Sequence, residues 1–236
     1  MSAYDPPRFL WGGDGCVIVE FGDGIDTGIN AMVRALAGRI EASRPSWLIE
    51  TVPTYRSLAV YLDPWETCRD EAMAWIRSLC SSIETPRFAG EPAIEIPVCY
   101  GGGFGPDMER VSLHTGLPAA EIIRLHSSPV YHVFMLGFSP GFPYLGGMDQ
   151  RLETPRLENP RTLIPAGSVG IAGKQTGVYP LQSPGGWNLI GRTPLKLFDP
   201  SRKNPFLVKA GMEIRFVPVS EDKYPVLPSS GEVPGR

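Results

Sequence analysis

The sequence has little cysteine or histidine and no long apolar run. Its four cysteines, Cys16, Cys68, Cys80 and Cys99, are scattered, and no two have CxxC spacing. They are expected to be reduced, buried, small apolar side chains. The three histidines, His114, His126 and His132, form no HxH, HExxH or i, i+4 pair, so no dedicated metal site is expected. No stretch approaches the ~20 apolar residues of a membrane helix. The start, MSAYDPPRFLWGGDG, lacks the basic segment and apolar core of a secretory signal. A formal net charge of -3 gives no basic excess for nucleic acid. These absences leave a cytoplasmic globular chain as the expectation, with no membrane and no nucleic-acid partner.

What the chain does have is 27 glycines and 25 prolines in 236 residues, dense from Tyr100 to Gly191. Glycine permits positive φ, and proline fixes φ and removes a donor. With apolar residues interleaved, that mixture predicts β structure with many tight turns.

The first ninety residues read differently. Cys16–Phe21 is apolar and β-rich. Ile25, Ile29, Met32, Val33, Leu36 and Ile40 recur at helical spacing behind Asp26, a suitable N-cap. Strands are predicted over 46–52 and 57–62. Asp63-Pro64-Trp65-Glu66 has the pattern of a capped helix start, with Trp65, Cys68, Ala72, Ile76, Leu79 and Ile83 on the buried face. Ala93–Val98 is the expected closing strand. The fold class is therefore α+β: a ferredoxin-like β-α-β-β-α-β domain over 1–90, then a β-barrel domain over 91–222, with an extended tail over 223–236. Pro86–Pro92 is the expected hinge. Short helices are predicted at 106–113 and 118–126. Strands follow at 130–136, 162–164, 168–172, 177–181, 187–191, 195–198 and 212–219.

Two short patterns invite a chemical reading and fail it. Gly137-Phe138-Ser139-Pro140-Gly141 matches Gly-x-Ser-x-Gly. A nucleophile elbow needs a following helix and the backbone N–H of the residue after the serine. Pro140 has no N–H, and no helix pattern follows, so a turn at a barrel rim is expected. Ala172-Gly173-Lys174-Gln175-Thr176 resembles the end of a P-loop, but Ser168 and Gln175 stand where glycine and Ser/Thr are required. Gly101–Asp107 precedes a helix and could cradle an anion, a weak signal alone.

The stretch 131–199 carries more. It reads YHVFMLGFSPGFPYLGG, then PRLENPRTLIPAGSVGIAGKQTGVYPLQSPGGWNLIGRTPLKLFD. Together with YGGGFGPDMERVS, GLPAAEIIRLHSSPVY and the N-terminal GDGCVIVEFGDGID, it resembles the family that includes the 5-oxoprolinase B component, the kinase inhibitor KipI and the first component of allophanate hydrolase. The family usually has Glu in YGGEFGPD, where this chain has Gly103.

The resemblance implies a small α/β domain followed by a cyclophilin-like barrel of the carboxyltransferase type. It implies the B component of a heteromeric ATP-dependent 5-oxoprolinase, a hydrolase that opens 5-oxoproline to glutamate. The expected partners are a homologous C component and an A component. ATP is used by the complex, and the chain alone is expected to be inactive. A lactam amide is a poor electrophile, and phosphorylation would activate its carbonyl. Such a site needs cations and aligned donors. Arg161, Gln175 and Tyr179 are the candidate catalytic residues, with His126 for proton transfer. Lys174, Thr176, Ser183, Gly185, Gly186, Asn188 and Arg192 are the candidate substrate-binding residues. Two other readings stand beside it. One is a KipI-like module that blocks a histidine kinase. The other is half of a urea carboxylase or allophanate hydrolase unit, whose biotin carrier would have to come from another polypeptide.

Overall fold

The computed structural model describes residues 2–81, 83 and 92–226. The chain divides into two compact units, Met1–Gly90 and Glu91–Arg236.

The first unit contains β1 (Ala3–Trp11), β2 (Cys16–Gly22), α1 (Thr27–Ser43), β3 (Leu48–Pro53), β4 (Ser57–Leu62) and α2 (Arg69–Cys80). Its sheet runs β1-β2-β4-β3, every pair antiparallel. Asp26 caps α1 by accepting from Ile29 N at 3.0 Å, which satisfies one of the donors a helix start leaves open. Ile29, Val33, Leu36 and Ile40 of α1 pack with Val17, Val19, Phe21, Leu58, Val60 and Leu62 of the sheet.

Three expectations are corrected here. The segment expected to close this sheet, Ala93–Val98, forms part of a strand in the second unit, and β1 occupies the sheet edge beside β2 instead. The element order of the first unit is therefore β-β-α-β-β-α. Pro6 and Pro7 conceal β1 in the sequence, yet an edge strand tolerates missing donors. α2 begins at Arg69, after a turn in which Asp63 accepts from Trp65 N at 2.9 Å. Trp65 is consequently 94% exposed rather than buried. Cys68 is exposed and Cys80 half-buried, while Cys16 and Cys99 are buried; all four are free thiols. Most of the expected hinge, residues 86–91, lies outside the described residues.

The second unit contains β5 (Ile94–Tyr100), α3 (Met108–Thr115), α4 (Ala119–Ser127), β6 (Tyr131–Leu136), β7 (Pro143–Gly146), β8 (Arg161–Ile164), β9 (Ser168–Ala172), β10 (Gln175–Val178), β11 (Ser183–Gly185), β12 (Asn188–Arg192) and β13 (Glu213–Pro218). Seven of these strands close a barrel in the order β10-β7-β6-β13-β5-β12-β9. β13 runs parallel to β5, and the other neighbours are antiparallel. Closure leaves no free sheet edge. β8 and β11 form a separate two-stranded ribbon.

Helices α3 and α4 contribute Met108, Val111, Ile122 and Leu125 to the barrel core, against Ile96, Val98, Tyr131, Val133, Ile190, Ile214 and Phe216. β7 and β11 lie outside the expected strands, because Pro143 and Pro184 break their patterns. Residues 195–198 form no strand and contribute one bridge, Phe198 to Phe206. The start of the expected extended tail is a 3-10 turn over Glu221–Val226, where Tyr224 meets Phe104 with ring centroids 4.6 Å apart.

Candidate functional site on the β8–β11 ribbon

Antiparallel pairing of the ribbon is irregular. Ser183 faces Ile164 and Gly185 faces Arg161, so two steps on β11 match three on β8. An extra residue in one strand bends it and re-aims its side chains. Thr162 and Leu163 both point to solvent, while Arg161 and Ile164 turn inward. On β11, Ser183 and Gly185 are half-buried and Pro184 between them is exposed. Arg161 therefore shares the inner face with Ile164, Ser183 and Gly185, which regular alternation forbids.

That face meets an aromatic cluster. Phe142, Ile164, Tyr179, Trp187 and Leu189 pack together, with Tyr144 beside them. Tyr179 lies edge-on to Phe142 at 5.5 Å and to Trp187 at 6.2 Å between centroids. Phe138, 65% exposed, closes the cluster from outside at 6.4 Å from Tyr179. The Tyr179 backbone is held by its N–H to Ser168 O at 2.8 Å and by Gly167 N–H to its own carbonyl at 2.7 Å. A Cβ on Gly185 would stand 2.5 Å from the Tyr179 hydroxyl and 2.8 Å from Ile164 Cδ1. Glycine at this position lets the ribbon lie directly over that hydroxyl. Burial pushes the Tyr179 hydroxyl up to about 12, against the opposing effects of the Trp187 backbone N–H and of Arg156 and Arg161. It is neutral near pH 7 and can donate a proton to a hydrogen bond.

Arg161 is anchored from the barrel side. Its Nη2 donates to Asp107 Oδ1 at 2.7 Å, and Asp107 Oδ2 accepts from Leu189 N at 2.7 Å. Asp107 is buried at the start of α3. Arg161 Nη1 is buried with no hydrogen-bond partner, as are Ser183 Oγ and Ser139 Oγ. Asp107 is not among the expected site residues. Its signal is present in the GFGPD segment, as an acid where a helix starts.

The other expected residues fall elsewhere. His126 is fully buried in the core and uses both ring nitrogens: Nδ1 lies 2.7 Å from the Tyr100 hydroxyl and Nε2 2.8 Å from Thr176 Oγ1. Its ring stacks on Phe216 with centroids 4.6 Å apart. Burial lowers its pKa from 6.5 to about 3. Thr176, also fully buried, donates to Gly170 O at 3.0 Å. His126 and Thr176 form a core hydrogen-bond pair, and proton transfer to a solvent-borne substrate has no route through this geometry.

Asn188 is likewise enclosed. Its amide donates to Pro155 O at 2.9 Å and Ile171 O at 3.0 Å, and its oxygen accepts from Arg110 Nε at 3.0 Å. It ties the 150s loop to the barrel.

Strand register separates two expected cations. Arg192 faces Ser168 at one end of β9, and Gln175 faces Ala172 at the other, with Lys174 in the exposed hairpin beyond. Four residue steps at ~3.3 Å put about 13 Å between the two ends. Arg192 also donates from Nε to Ala166 O at 2.9 Å. Lys174 and Arg192 thus do not converge on one phosphate. Gly186 supplies a backbone carbonyl to Leu157 N at 2.7 Å.

Ser139 sits in the β6–β7 turn. Phe142 N donates to Ser139 O at 3.0 Å, and Phe138 adopts φ +62°. A cavity of about 380 Å³ lies against this turn, lined by 136–141 and Phe206. The next element is β7, not a helix, and no base is bonded to the serine hydroxyl among the described residues. Among the described residues, no three His, Cys, Asp or Glu side chains are grouped to hold a metal ion, and no helix is long and apolar enough to cross a membrane.

Comparison with known proteins agrees with this architecture. The model of the carboxyltransferase domain, subdomain C and D, matches residues 7–208. The 5-oxoprolinase B component of Bacillus subtilis (strain 168) is 43% identical over 226 residues, covering 90% of this chain and 92% of that protein. The protein of the same name from Escherichia coli O157:H7 is 43% identical, covering 89% and 94%. Among solved structures, TTHA0988 superposes with a TM-score of 0.79 at 36% identity, over 87% of this chain. The chain spans only 40% of that longer protein. The Kluyveromyces lactis urea carboxylase shares the fold, at a TM-score of 0.72 and 19% identity, over 93% of this chain and 22% of its own. With a match over most of its length and close relatives of nearly equal extent, the chain belongs to the family of the carboxyltransferase domain, subdomain C and D.

Proposed function

We propose that this chain is the B component of an ATP-dependent 5-oxoprolinase, which opens the lactam of 5-oxoproline to glutamate. The observation that carries this reading is 43% identity to curated 5-oxoprolinase B components over about nine-tenths of both chains. The barrel is read as cyclophilin-like in shape alone, since a fold hosts many unrelated activities.

In this reading the chain acts with the A and C components and is inactive alone. Two features support dependence on partners. No side chain of the ribbon site is an activated nucleophile, and two further cations, Lys174 and Arg192, stand at opposite ends of β9. ATP is a substrate of the whole assembly, and no step involving it is assigned to residues of this chain. Arg161, Tyr179, Ser183 and Gly185 form the part of the substrate site that this chain contributes. Gln175 and Lys174, in the neighbouring hairpin, are candidates for contact with the homologous partner. The carboxyltransferase match leaves urea-directed chemistry as the second reading.

The test is a reconstitution. ADP and glutamate should form from 5-oxoproline when this chain is mixed with its A and C partners, and formation should stop when the chain is omitted. Undiminished formation on omission would overturn the reading.

A further inference from the structure

Three buried side-chain polar atoms of the barrel unit that lack a hydrogen-bond partner lie around one place. Arg161 Nη1 and Ser183 Oγ lie on the inner face of the β8–β11 ribbon, and Ser139 Oγ lies in the turn that carries Phe138 over Tyr179. Buried polar groups in folded proteins are almost always paired, so such a concentration needs a reason. A buried guanidinium arm without a partner is especially costly.

The ribbon is shaped to create this arrangement. The irregular pairing turns Arg161 inward, opposite Gly185, whose lack of a side chain brings the ribbon against the Tyr179 hydroxyl. Asp107 holds one arm of the guanidinium, Nη2, and leaves the other arm open. Because Asp107 also accepts from Leu189 N, the anchor is fixed to the barrel wall. Within electrostatic reach of the guanidinium is a neutral hydroxyl donor, Tyr179, set among the aromatic rings of Phe138 and Trp187. Arg156 adds a second positive charge near Tyr179.

We propose that Arg161 is a carboxylate clamp. Its Nη1 binds the carboxylate of a small cyclic amino-acid derivative, Tyr179 and Ser183 add neutral hydrogen bonds, and the aromatic wall receives the ring. An anion needs two or more convergent donors, and guanidinium N–H groups suit carboxylate geometry. The clamp acts in ground-state binding, through substrate recognition rather than bond breaking. It rests on the 5-oxoprolinase reading for the identity of the ligand, and the test separates the two.

Binding of 5-oxoproline and of its neutral analogue 5-oxoprolinamide is measured by calorimetry on the full chain together with its homologous partner. The clamp predicts roughly tenfold or greater preference for the acid. Arg161→Gln should abolish that preference, with the amide binding nearly unchanged. Equal binding of acid and amide, no binding of either, or a preference that survives in Arg161→Gln would overturn the clamp. Should Arg161→Gln fold poorly because Asp107 is left buried and unpaired, the double variant Asp107→Asn/Arg161→Gln leaves neither charge behind and makes the same prediction. Turnover in the complete complex judges the function separately. Arg161-dependent binding without glutamate formation keeps the clamp and overturns the function. Glutamate formation in which Arg161→Gln leaves the acid preference and KM unchanged keeps the function and overturns the clamp.

Discussion

His126 Nε2 lies 2.8 Å from Thr176 Oγ1, and the same hydroxyl donates to Gly170 O at 3.0 Å. With its proton directed to Gly170, Thr176 can only accept from His126. His126 is therefore the neutral Nε2–H tautomer, and Nδ1 accepts from Tyr100. One directional chain runs from Tyr100 through His126 and Thr176 to a β9 carbonyl.

This arrangement predicts an acid-sensitive core. Burial depresses the His126 pKa from 6.5 to about 3, so a proton binds the unfolded chain more readily than the folded one. The contribution of His126 to stability is complete above pH ~6.5. It falls as the pH drops toward 3, by about 1.4 kcal/mol per unit. Urea unfolding between pH 7 and 4 should show that slope, and His126→Gln should flatten it by about one proton's worth while lowering stability throughout. An unchanged slope would contradict the buried neutral histidine.

A second prediction concerns the anchor of Arg161. Asp107→Ala removes the partner of both Arg161 Nη2 and Leu189 N. Leaving a partly buried cation and a buried N–H unpaired should cost about 2–4 kcal/mol. Asp107→Asn, which keeps an acceptor for Leu189 N, should cost less. Thermal or denaturant unfolding of the two variants gives the comparison, and equal losses would argue against the bond to Leu189.

Two neighbouring glycines should behave oppositely. A Cβ at Gly105 would fall 2.1 Å from the carbonyl oxygen of Ile190, a backbone atom that cannot move aside. Gly105→Ala should therefore destabilise the barrel by about 1–3 kcal/mol or more. Gly103 has nothing within 4 Å of its would-be Cβ. Gly103→Glu, which restores the usual family residue, should change stability by no more than about 0.5 kcal/mol. A large loss in Gly103→Glu would mean that this site is not open.

The sequence reveals the continuously apolar or alternating strands better than it reveals the proline-bearing ones. Ser168–Ala172, wholly buried, and Ser57–Leu62 are legible because continuous or alternating apolar runs leave little choice of conformation. β1, β7 and β11 are not legible, since Pro6, Pro7, Pro143 and Pro184 contradict strand propensity, and only tertiary pairing overrides it. Assignment of 93–98 to the first sheet fails because a strand's sequence does not name its neighbour; β5 pairs in parallel with β13, whose Ile214 stands beside Ile94.

The site is half legible. Arg161, Ser183 and Gly185 are named by the family wording and meet on one ribbon, with Tyr179, also named, packed beneath Gly185. His126 is suggested by the ordinary pKa of a histidine, which says nothing about burial. Asp107 escapes notice because its pairing with Arg161 spans 54 residues. The irregularity that turns Arg161 inward depends on register, which a single strand of four residues cannot disclose.

The central claim is membership in a 5-oxoproline-opening complex, and its most direct measurement is an omission experiment. Purified chain and its A and C partners are incubated with 5-oxoproline and ATP, and ADP and glutamate are followed together. The account predicts that both form in equal amounts only in the complete mixture, and that neither forms from this chain alone. Undiminished glutamate formation without the chain, or no 5-oxoproline-dependent ADP in a folded complete mixture, would contradict it and turn attention to urea-type substrates and then to histidine kinases.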